Sequence, residues 1–281
     1  MTIESLKRLF IFDEKNFIPI KFKKFNIGWI HKKNTKVNEL FNLKKKFIEI
    51  SEITEKLKKK KIANQLIEKK FKEIEFCPVF KREAKFPRLN FNHNECFGKN
   101  SFFNIQRSLL SIFGFPQYGV HCNAWSRKNG NTFFHLAKRS RKLDDFPGLY
   151  DNLIGGGQPT GISIIQNLEK EAFEEAGLKK KSINKWKRGN TINYFHNHKN
   201  SAFFGIIFVY DLKIIEKSKF INMDGEVEKF DCFNVDEIYK ILEKKMLKPN
   251  SIIPIADFFL RKMSDYFPQK GILEIKRILK K

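Results

Sequence analysis

The chain has 281 residues, of which 41% are apolar, and its formal net charge is +24. This length and apolar fraction predict a globular protein with one large domain, or a catalytic domain with a smaller companion. No apolar run approaches the roughly 18 residues that a membrane span needs, and the amino-terminal residues do not have the pattern of an export signal, so we expect a cytoplasmic protein without a membrane partner.

The cysteines indicate the redox compartment of the protein, and the many lysines indicate the charge of its surface. The cysteines are scattered and have neither disulfide density nor metal-ligand spacing, at Cys77, Cys96, Cys122 and Cys232. Reduced thiols in a cytosol fit this pattern. The lysines fall in many short runs, which favours a solvated basic surface over a nucleic-acid interface, although a positive field also attracts phosphorylated metabolites.

The amino-terminal part has the pattern of a small α+β unit. Phe17 to Ile30 alternates as a short hairpin with its turn at Lys24 to Asn26, and Lys56 to Lys72 has the spacing of an amphipathic helix. Pro78 to Asn104 has single aromatics among Pro and Asn without periodicity, which indicates an irregular junction. We therefore predict a companion domain at residues 1–110 and a main domain at residues 111–281.

The pattern becomes sharper in the main domain. Val120 to Arg127 and Thr132 to Ser140 predict two strands joined by a turn at Lys128 to Asn131. A helix is predicted from Ile162 to Ala176, because Gly177 stands at the preferred stop position. Further strands are predicted at Ala202–Leu212 and Glu226–Val235, and closing helices at Asp236–Lys244 and Ser251–Met263.

Three glutamates share one face of the predicted Ile162–Ala176 helix. Glu171, Glu174 and Glu175 are spaced at i, i+3 and i+4, so at about 100° per residue they lie within reach of a common point. Grouped like charges repel, which suggests oxygen ligands for Mg²⁺ or Mn²⁺. The alternative is an ordinary exposed helix paired with lysines. The upstream Gly155–Gly157 cluster favours the site, since glycines let a metal or a phosphate approach the backbone closely.

This segment resembles the Nudix box, in which a glycine and a leading glutamate precede Arg-Glu-x-x-Glu-Glu-x-Gly and an apolar residue. Setting Gly177 and Leu178 at its end places Gly156 at the first glycine and Lys170 at the arginine. Ile162 occupies the position of the leading glutamate. The resemblance implies an α/β fold, an α/β/α sandwich with a mixed sheet, preceded here by the small α+β domain.

Further motifs narrow the resemblance to the Nudix group related to thiamine pyrophosphokinase, whose box has Lys-Glu-x-x-Glu-Glu and no leading glutamate. They lie at Tyr118–Trp125, Lys138–Ser140, Leu149–Asn152, Asp224–Glu228 and Lys248–Asn250. Asn26 to Ile30 is similar to the companion domain that precedes the catalytic domain in that group. The resemblance implies a thiamine-diphosphate-like substrate and a role in metabolite repair.

The resemblance also implies the metal ligands. Glu174 and Glu175 would be the principal ligands of Mg²⁺ or Mn²⁺, Glu171 would join or orient them, and the Gly156 carbonyl would complete the sphere. The cation would neutralise phosphate charge and activate a water. Lys170 would hold the glutamates by ion pairs, although Lys lacks the planar fork of Arg.

Residues outside the glutamate cluster complete the predicted site. Glu226 is the candidate for an additional carboxylate, as metal ligand or general base, with a role on an exposed strand face as the alternative. The predicted substrate contacts are His121, Asn123, Lys138, Arg139, Gly156 and Gly157. Among these, Lys138 and Arg139 would grip the distal phosphate, and a structural role is the alternative for His121.

These observations favour a pyrophosphohydrolase that acts on a small phosphorylated metabolite, either thiamine-diphosphate-like or nucleoside-diphosphate-like. One alternative is an isopentenyl-diphosphate isomerase-like enzyme, which would need a catalytic cysteine, and Cys122 is the candidate. Another is a non-catalytic nucleotide- or RNA-binding module, which has no need for the three glutamates together. The oligomeric state stays open.

Overall fold

The computed structural model describes residues 3–41, 45–58, 75–84, 90–179, 186–198, 200–215, 218–266 and 268–279. The described helices are α1 (Ile3–Arg8), α2 (Thr35–Leu40), α3 (Ile50–Leu57), α4 (Arg107–Phe113), α5 (Ile164–Ala176), α6 (Val235–Glu243), α7 (Ile252–Lys262) and α8 (Gln269–Leu279). The strands are β1 (Phe17–Phe22), β2 (Phe25–His31), β3 (Ile48–Glu49), β4 (Phe76–Val79), β5 (Phe103–Gln106), β6 (Gln117–Lys128), β7 (Asn131–Arg139), β8 (Tyr150–Asn152), β9 (Ile154–Gly157), β10 (Lys187–His198), β11 (Ser201–Lys213) and β12 (Val227–Asn234). None of these helices is long and apolar enough to cross a membrane.

A seven-stranded mixed sheet forms the centre of the molecule. Its strand order is β10-β11-β6-β7-β12, with β8 paired to β7 and β9 paired to β6. β6 and β11 run parallel, whereas the other pairs of this sheet are antiparallel. The expected α/β class with a mixed sheet is therefore confirmed.

Helices cover both faces of this sheet because side chains alternate along its strands. Val120 and Cys122 of β6 belong to one apolar cluster, to which α5 contributes Leu168 and Ala172. The opposite face belongs to a second cluster, formed with α6, α7 and α8, in which Phe258 is fully buried. β6 thus separates the two layers of the core.

The amino-terminal part contains a three-stranded sheet of order β2-β1-β3. The predicted hairpin is confirmed, but its turn lies at Lys23 and Lys24 instead of Lys24 to Asn26, since Phe22 pairs with Phe25 and Lys23 adopts φ 53°. This sheet has its own apolar cluster with α4. Most of the predicted helix from Lys56 to Lys72 lies outside the described residues.

The predicted irregular junction contains more structure than its sequence suggests. β4 and β5 pair at its two ends, and between them Phe80 and Phe97 pack with Tyr118 on the α5 side of the main sheet. At the start of the chain, α1 packs with α8 in the opposite layer. The boundary between residues 1–110 and 111–281 stays a prediction.

The local signals predicted in residues 111–281 are confirmed for the hairpin turn and the glutamate helix. The turn between β6 and β7 places Asn129 and Gly130 at φ 48° and 80°, as a tight hairpin turn requires. α5 begins two residues later than predicted because Ser163 caps it, in a capping box with Gln166. Gly177 ends it in the left-handed conformation, at φ 65°.

Candidate active site

The glycine cluster and the glutamates meet because α5 packs beside β9. Ile164, Leu168 and Ala172 are fully buried on the apolar side of the helix, which presses that side onto the sheet. β9 carries Gly155–Gly157 at its end and pairs with β6. The helix therefore brings Glu171 and Glu175 against the glycine strand.

Glu171 lies directly over Gly156. A Cβ atom built on Gly156 would lie 2.1 Å from Glu171 Cδ and 2.3 Å and 2.4 Å from its two oxygens. Ordinary van der Waals contact begins at 3.4 Å. Only glycine at position 156 allows the Glu171 carboxylate to occupy this place, so the two positions act as one feature.

Glu175 is the most buried of the three glutamates, with 7% of its surface exposed. Its Oε2 accepts a hydrogen bond of 2.7 Å from the backbone N–H of Gly155. Burial, together with repulsion from Glu171, raises the pKa of Glu175 well above its ordinary value. Burial also raises the pKa of Glu171 to about 7. Two carboxylates are thus packed at one strand end without a full counter-charge.

Glu174 is paired with Lys170 on the outer side of the helix. Lys170 Nζ lies 3.0 Å from Glu174 Oε2 and 3.7 Å from Glu171 Oε1. The predicted ion pairs of Lys170 are therefore present. Because Lys170 contacts both carboxylates, it links Glu174 to the part of the cluster that faces β9.

The donor set fits a divalent cation in its chemistry. Clustered carboxylate oxygens are the ligands that Mg²⁺ and Mn²⁺ prefer, and a cation would offset the cost of burying ionised Glu171 and Glu175. Among the described residues, no three His, Cys, Asp or Glu side chains are already gathered in a metal-binding arrangement. The metal-ligand set of Gly156, Glu171, Glu174 and Glu175 stays a prediction.

Two further residues of the cluster come from the amino-terminal part and were not predicted from the sequence. The guanidinium of Arg107, the first residue of α4, lies over Gly157, where a Cβ atom would be 2.2 Å from Arg107 Cζ. Arg107 Nη1 donates a 2.7 Å hydrogen bond to Glu75 Oε2. No local pattern marks either residue, since their neighbours in the site are distant in the chain.

Asp151 is a buried anion on β8, next to the glycine strand, and the sequence pattern assigns it no role. Although burial opposes ionisation, the charge and hydrogen bond of Lys248 hold the pKa of Asp151 well below its ordinary value. Lys248 Nζ lies 2.7 Å from Asp151 Oδ2, and Ser251 Oγ donates to Asp151 Oδ1. Asp151 and Lys248 both fall in motifs that carried the family resemblance, which was the available signal.

The two cations predicted to grip phosphate already have protein partners. Lys138 Nζ lies 3.3 Å from Glu228 Oε1. Arg139 has 13% of its side chain exposed, with Nη1 3.4 Å from Asp151 Oδ2. Its Nη2 donates to the carbonyl of Asp145 at 3.0 Å. Their role in phosphate binding stays a prediction.

Glu226 lies on the exposed turn that leads into β12. Its backbone N–H donates to Asp224 Oδ1 at 2.8 Å, and its carbonyl accepts from the N–H of Ser140 at 2.7 Å. The same turn is tied to the end of α5, because the Met223 N–H donates to the Glu174 carbonyl at 2.9 Å. The structure therefore puts Glu226 on a segment that contacts the glutamate helix.

His121 and Asn123 face the layer between β6 and α7, opposite α5. His121 Nδ1 lies 2.9 Å from Asn152 Oδ1, and burial lowers the pKa of His121 to about 4. Asn123 is 2% exposed and donates to the Pro254 carbonyl at 2.9 Å. This placement gives both residues structural partners, and their contact with a substrate stays a prediction.

Comparison with known proteins identifies similar sequences in plants. The chain is 27% identical to Nudix hydrolase 24, chloroplastic, of Arabidopsis thaliana over 252 residues, which cover 87% of this chain and 67% of that protein. It is 33% identical to Nudix hydrolase 20, chloroplastic, of the same plant over 161 residues, which cover 57% and 43% of the two chains. The chain thus spans about two thirds of the first relative and less than half of the second. No family model matches.

Among solved structures, the NUDIX domain of Shewanella oneidensis NrtR complexed with ADP ribose superposes with a TM-score of 0.42 at 13% identity, covering 53% of this chain and 90% of that one. Both plant relatives to which the chain is similar are named as Nudix hydrolases. Both names also carry the word chloroplastic, so the cytoplasmic location stays a prediction.

Proposed function

We propose that this chain is a Nudix-type hydrolase that cleaves a phosphoanhydride bond with Mg²⁺ or Mn²⁺. The observation that carries the proposal is the packing of Glu171 and Glu175 against the glycine strand, at positions that match the Nudix box. The names of the two plant relatives are consistent with it. A surface helix would leave such carboxylates in water, so their burial argues for a site.

In this proposal the chain positions its carboxylates by packing. Glu171, Glu174 and Glu175 would hold the cation together with the Gly156 carbonyl. The bound cation would neutralise phosphate charge and activate a water molecule. Lys170 keeps Glu171 and Glu174 oriented through its ion pairs. Glu226 would approach from the turn beside α5 as an additional ligand or general base.

The proposed substrate is a small diphosphate, with a thiamine-diphosphate-like compound first and a nucleoside-diphosphate-like compound second. The family resemblance of motifs such as Leu149–Asn152 and Lys248–Asn250 supports the thiamine group, and metabolite repair is the role it implies. Residues 1–110 would form the companion domain of that group. Water attacks one phosphorus of such a diphosphate and forms a new P–O bond there. The P–O bond from that phosphorus to the bridging oxygen breaks, and the bridging oxygen leaves with the other phosphate.

A substrate panel tests the proposal. The purified chain is incubated with Mg²⁺ and thiamine diphosphate, an oxidised thiamine diphosphate, ADP or ADP-ribose, and released phosphate is measured directly or after added phosphatase. We expect turnover of at least one compound, and its loss on chelation of the metal. Glu174→Gln and Glu175→Gln should each lower kcat by about 100-fold or more, since each removes a ligand of the transition-state charge. Glu169→Gln, on the same helix, is the matched control.

The two alternatives receive less support. Cys122 is fully buried in the α5 layer, and burial raises the pKa of its thiol well above the ordinary value, so it is not poised to transfer a proton. Cys122→Ser should therefore retain hydrolysis. A non-catalytic RNA-binding module would instead bind RNA in a steeply salt-dependent way, and would keep that binding after Glu174→Gln and Glu175→Gln.

A further inference from the structure

The glycine strand has a basic side chain beside it that belongs to the amino-terminal part. Arg107 has 49% of its side chain exposed, whereas Lys138 and Arg139 have only 16% and 13% exposed. We propose that Arg107 binds the diphosphate of the substrate and that Glu75 positions it. This inference rests on the proposed function for the identity of the anion and goes beyond it by assigning the residue that recognises it.

Arg107 is held in one orientation by two contacts with the same residue. Its backbone N–H donates to the Glu75 carbonyl at 2.9 Å, and its Nη1 donates to Glu75 Oε2 at 2.7 Å. A guanidinium has five N–H donors in a rigid plane, so one bond to Glu75 orients the group without using its full capacity. The half-exposed side chain is thereby pre-arranged.

The guanidinium of Arg107 and the carboxylate of Glu171 contact adjacent residues of the glycine strand. A Cβ atom on Gly157 would lie 2.2 Å, 2.3 Å and 2.5 Å from Cζ, Nη2 and Nη1 of Arg107, so the group rests flat against the strand. Gly156, the preceding residue, has the Glu171 carboxylate against it on the other face. Successive strand positions point to opposite faces, so the guanidinium and the carboxylate flank one short piece of β9.

A diphosphate at this strand needs such a cation. Glu171 and Glu175 repel an anion. Lys170 contacts two carboxylates, whereas the guanidinium of Arg107 keeps N–H donors beyond its bond to Glu75. Arg107 lies within electrostatic reach of Glu171. Its planar fork can take two oxygens of one phosphate group, which a lysine cannot do with the same geometry. Arg107 therefore presents free guanidinium donors beside the end of the glycine strand.

The amino-terminal part also holds the loop that follows the strand. The Thr160 N–H donates to the Phe76 carbonyl at 2.9 Å, and the Phe97 N–H donates to the Ile162 carbonyl at 3.1 Å. β4 and its surroundings are thus fixed to the loop, and Glu75 directly precedes β4. This packing lets a residue outside the predicted main domain serve the site.

The test compares four variants of the full chain. For the compound of the panel that is cleaved, Arg107→Gln should raise KM by about tenfold or more with kcat within about threefold, since loss of uniform binding appears in KM. Arg107→Lys should give an intermediate KM, and Glu75→Gln should raise KM less than Arg107→Gln. Lys45→Gln is the matched control, because its ion pair with Glu52, at 2.8 Å, is similarly exposed but lies elsewhere.

A second measurement does not depend on turnover. Calorimetric titration with inorganic pyrophosphate in Mg²⁺ buffer should show about tenfold weaker binding in Arg107→Gln than in the wild type and in Lys45→Gln. Unchanged affinity and KM in Arg107→Gln would overturn the assignment, as would a loss of kcat alone with unchanged affinity. If the wild type cleaves no compound of the panel, the proposed hydrolysis fails, while the pyrophosphate titration still decides the role of Arg107.

Discussion

Gly156→Ala tests the central contact of the site. A methyl group at this position would lie 2.1 Å from Glu171 Cδ, and ordinary contact begins at 3.4 Å, so the carboxylate has to move by about 1.3 Å or the strand has to shift. Gly156 does not have a positive φ, so alanine can adopt its backbone conformation. The effect of the substitution therefore comes from the contact.

In the proposed hydrolase Glu171 holds the metal, and a displacement of such a group by about 1 Å costs on the order of 100-fold in rate, which is about 2.7 kcal/mol of transition-state stabilisation. We expect kcat/KM of Gly156→Ala to fall by about that factor in the phosphate-release assay. Because the atoms in the way are the end of the flexible Glu171 side chain, the free energy of unfolding should fall by about 1 kcal/mol, the lower end of the cost of overpacking, measured by denaturant unfolding.

Two controls separate the contact from a general effect of alanine. Gly271→Ala, in α8 with open space around it, should leave the rate unchanged and raise stability by about 0.5 to 1 kcal/mol. In a Glu171→Ala background, Gly156→Ala should cost no further stability, because the clashing carboxylate is gone. An unchanged kcat/KM in folded Gly156→Ala, or an equal stability cost in both backgrounds, would refute the reasoning.

Two further predictions concern buried titratable side chains. Lys248→Met leaves the Asp151 carboxylate buried without its nearest cation, so the free energy of unfolding at pH 7 should fall by about 3 to 5 kcal/mol, while Lys45→Met should change it little; equal values would contradict this account. Burial lowers the pKa of His93 from 6.5 to about 4, so its neutral form contributes stability above pH 6.5 that is lost as the pH falls towards 4. Between pH 7 and pH 4 the unfolding free energy of the wild type should therefore fall by about 3 kcal/mol more than that of His93→Gln. Parallel curves of unfolding free energy against pH for the two proteins would contradict this role of His93.

Local patterns in the sequence determined much of the secondary structure in residues 111–281. The apolar period of α5 and the stop at Gly177 follow from helix geometry, and the Asn129–Gly130 turn follows from the need for positive φ. The spacing of Glu171, Glu174 and Glu175 put them on one helix face for the same reason. β10 and α4 were not predicted, and β10 is a strand because it pairs along its length with β11, which is a tertiary contact.

Only the tertiary structure decided what the site residues face. Lys248 meets Asp151 across 97 positions of chain, and Arg107 meets Glu75 across 32, distances over which no periodic pattern carries information. Strand alternation, combined with the layer that α5 occupies, put Asn123 on the side away from the glutamates. The sequence thus determined which residues form the glutamate helix, and packing decided which distant residues, Arg107 among them, lie beside the glycine strand.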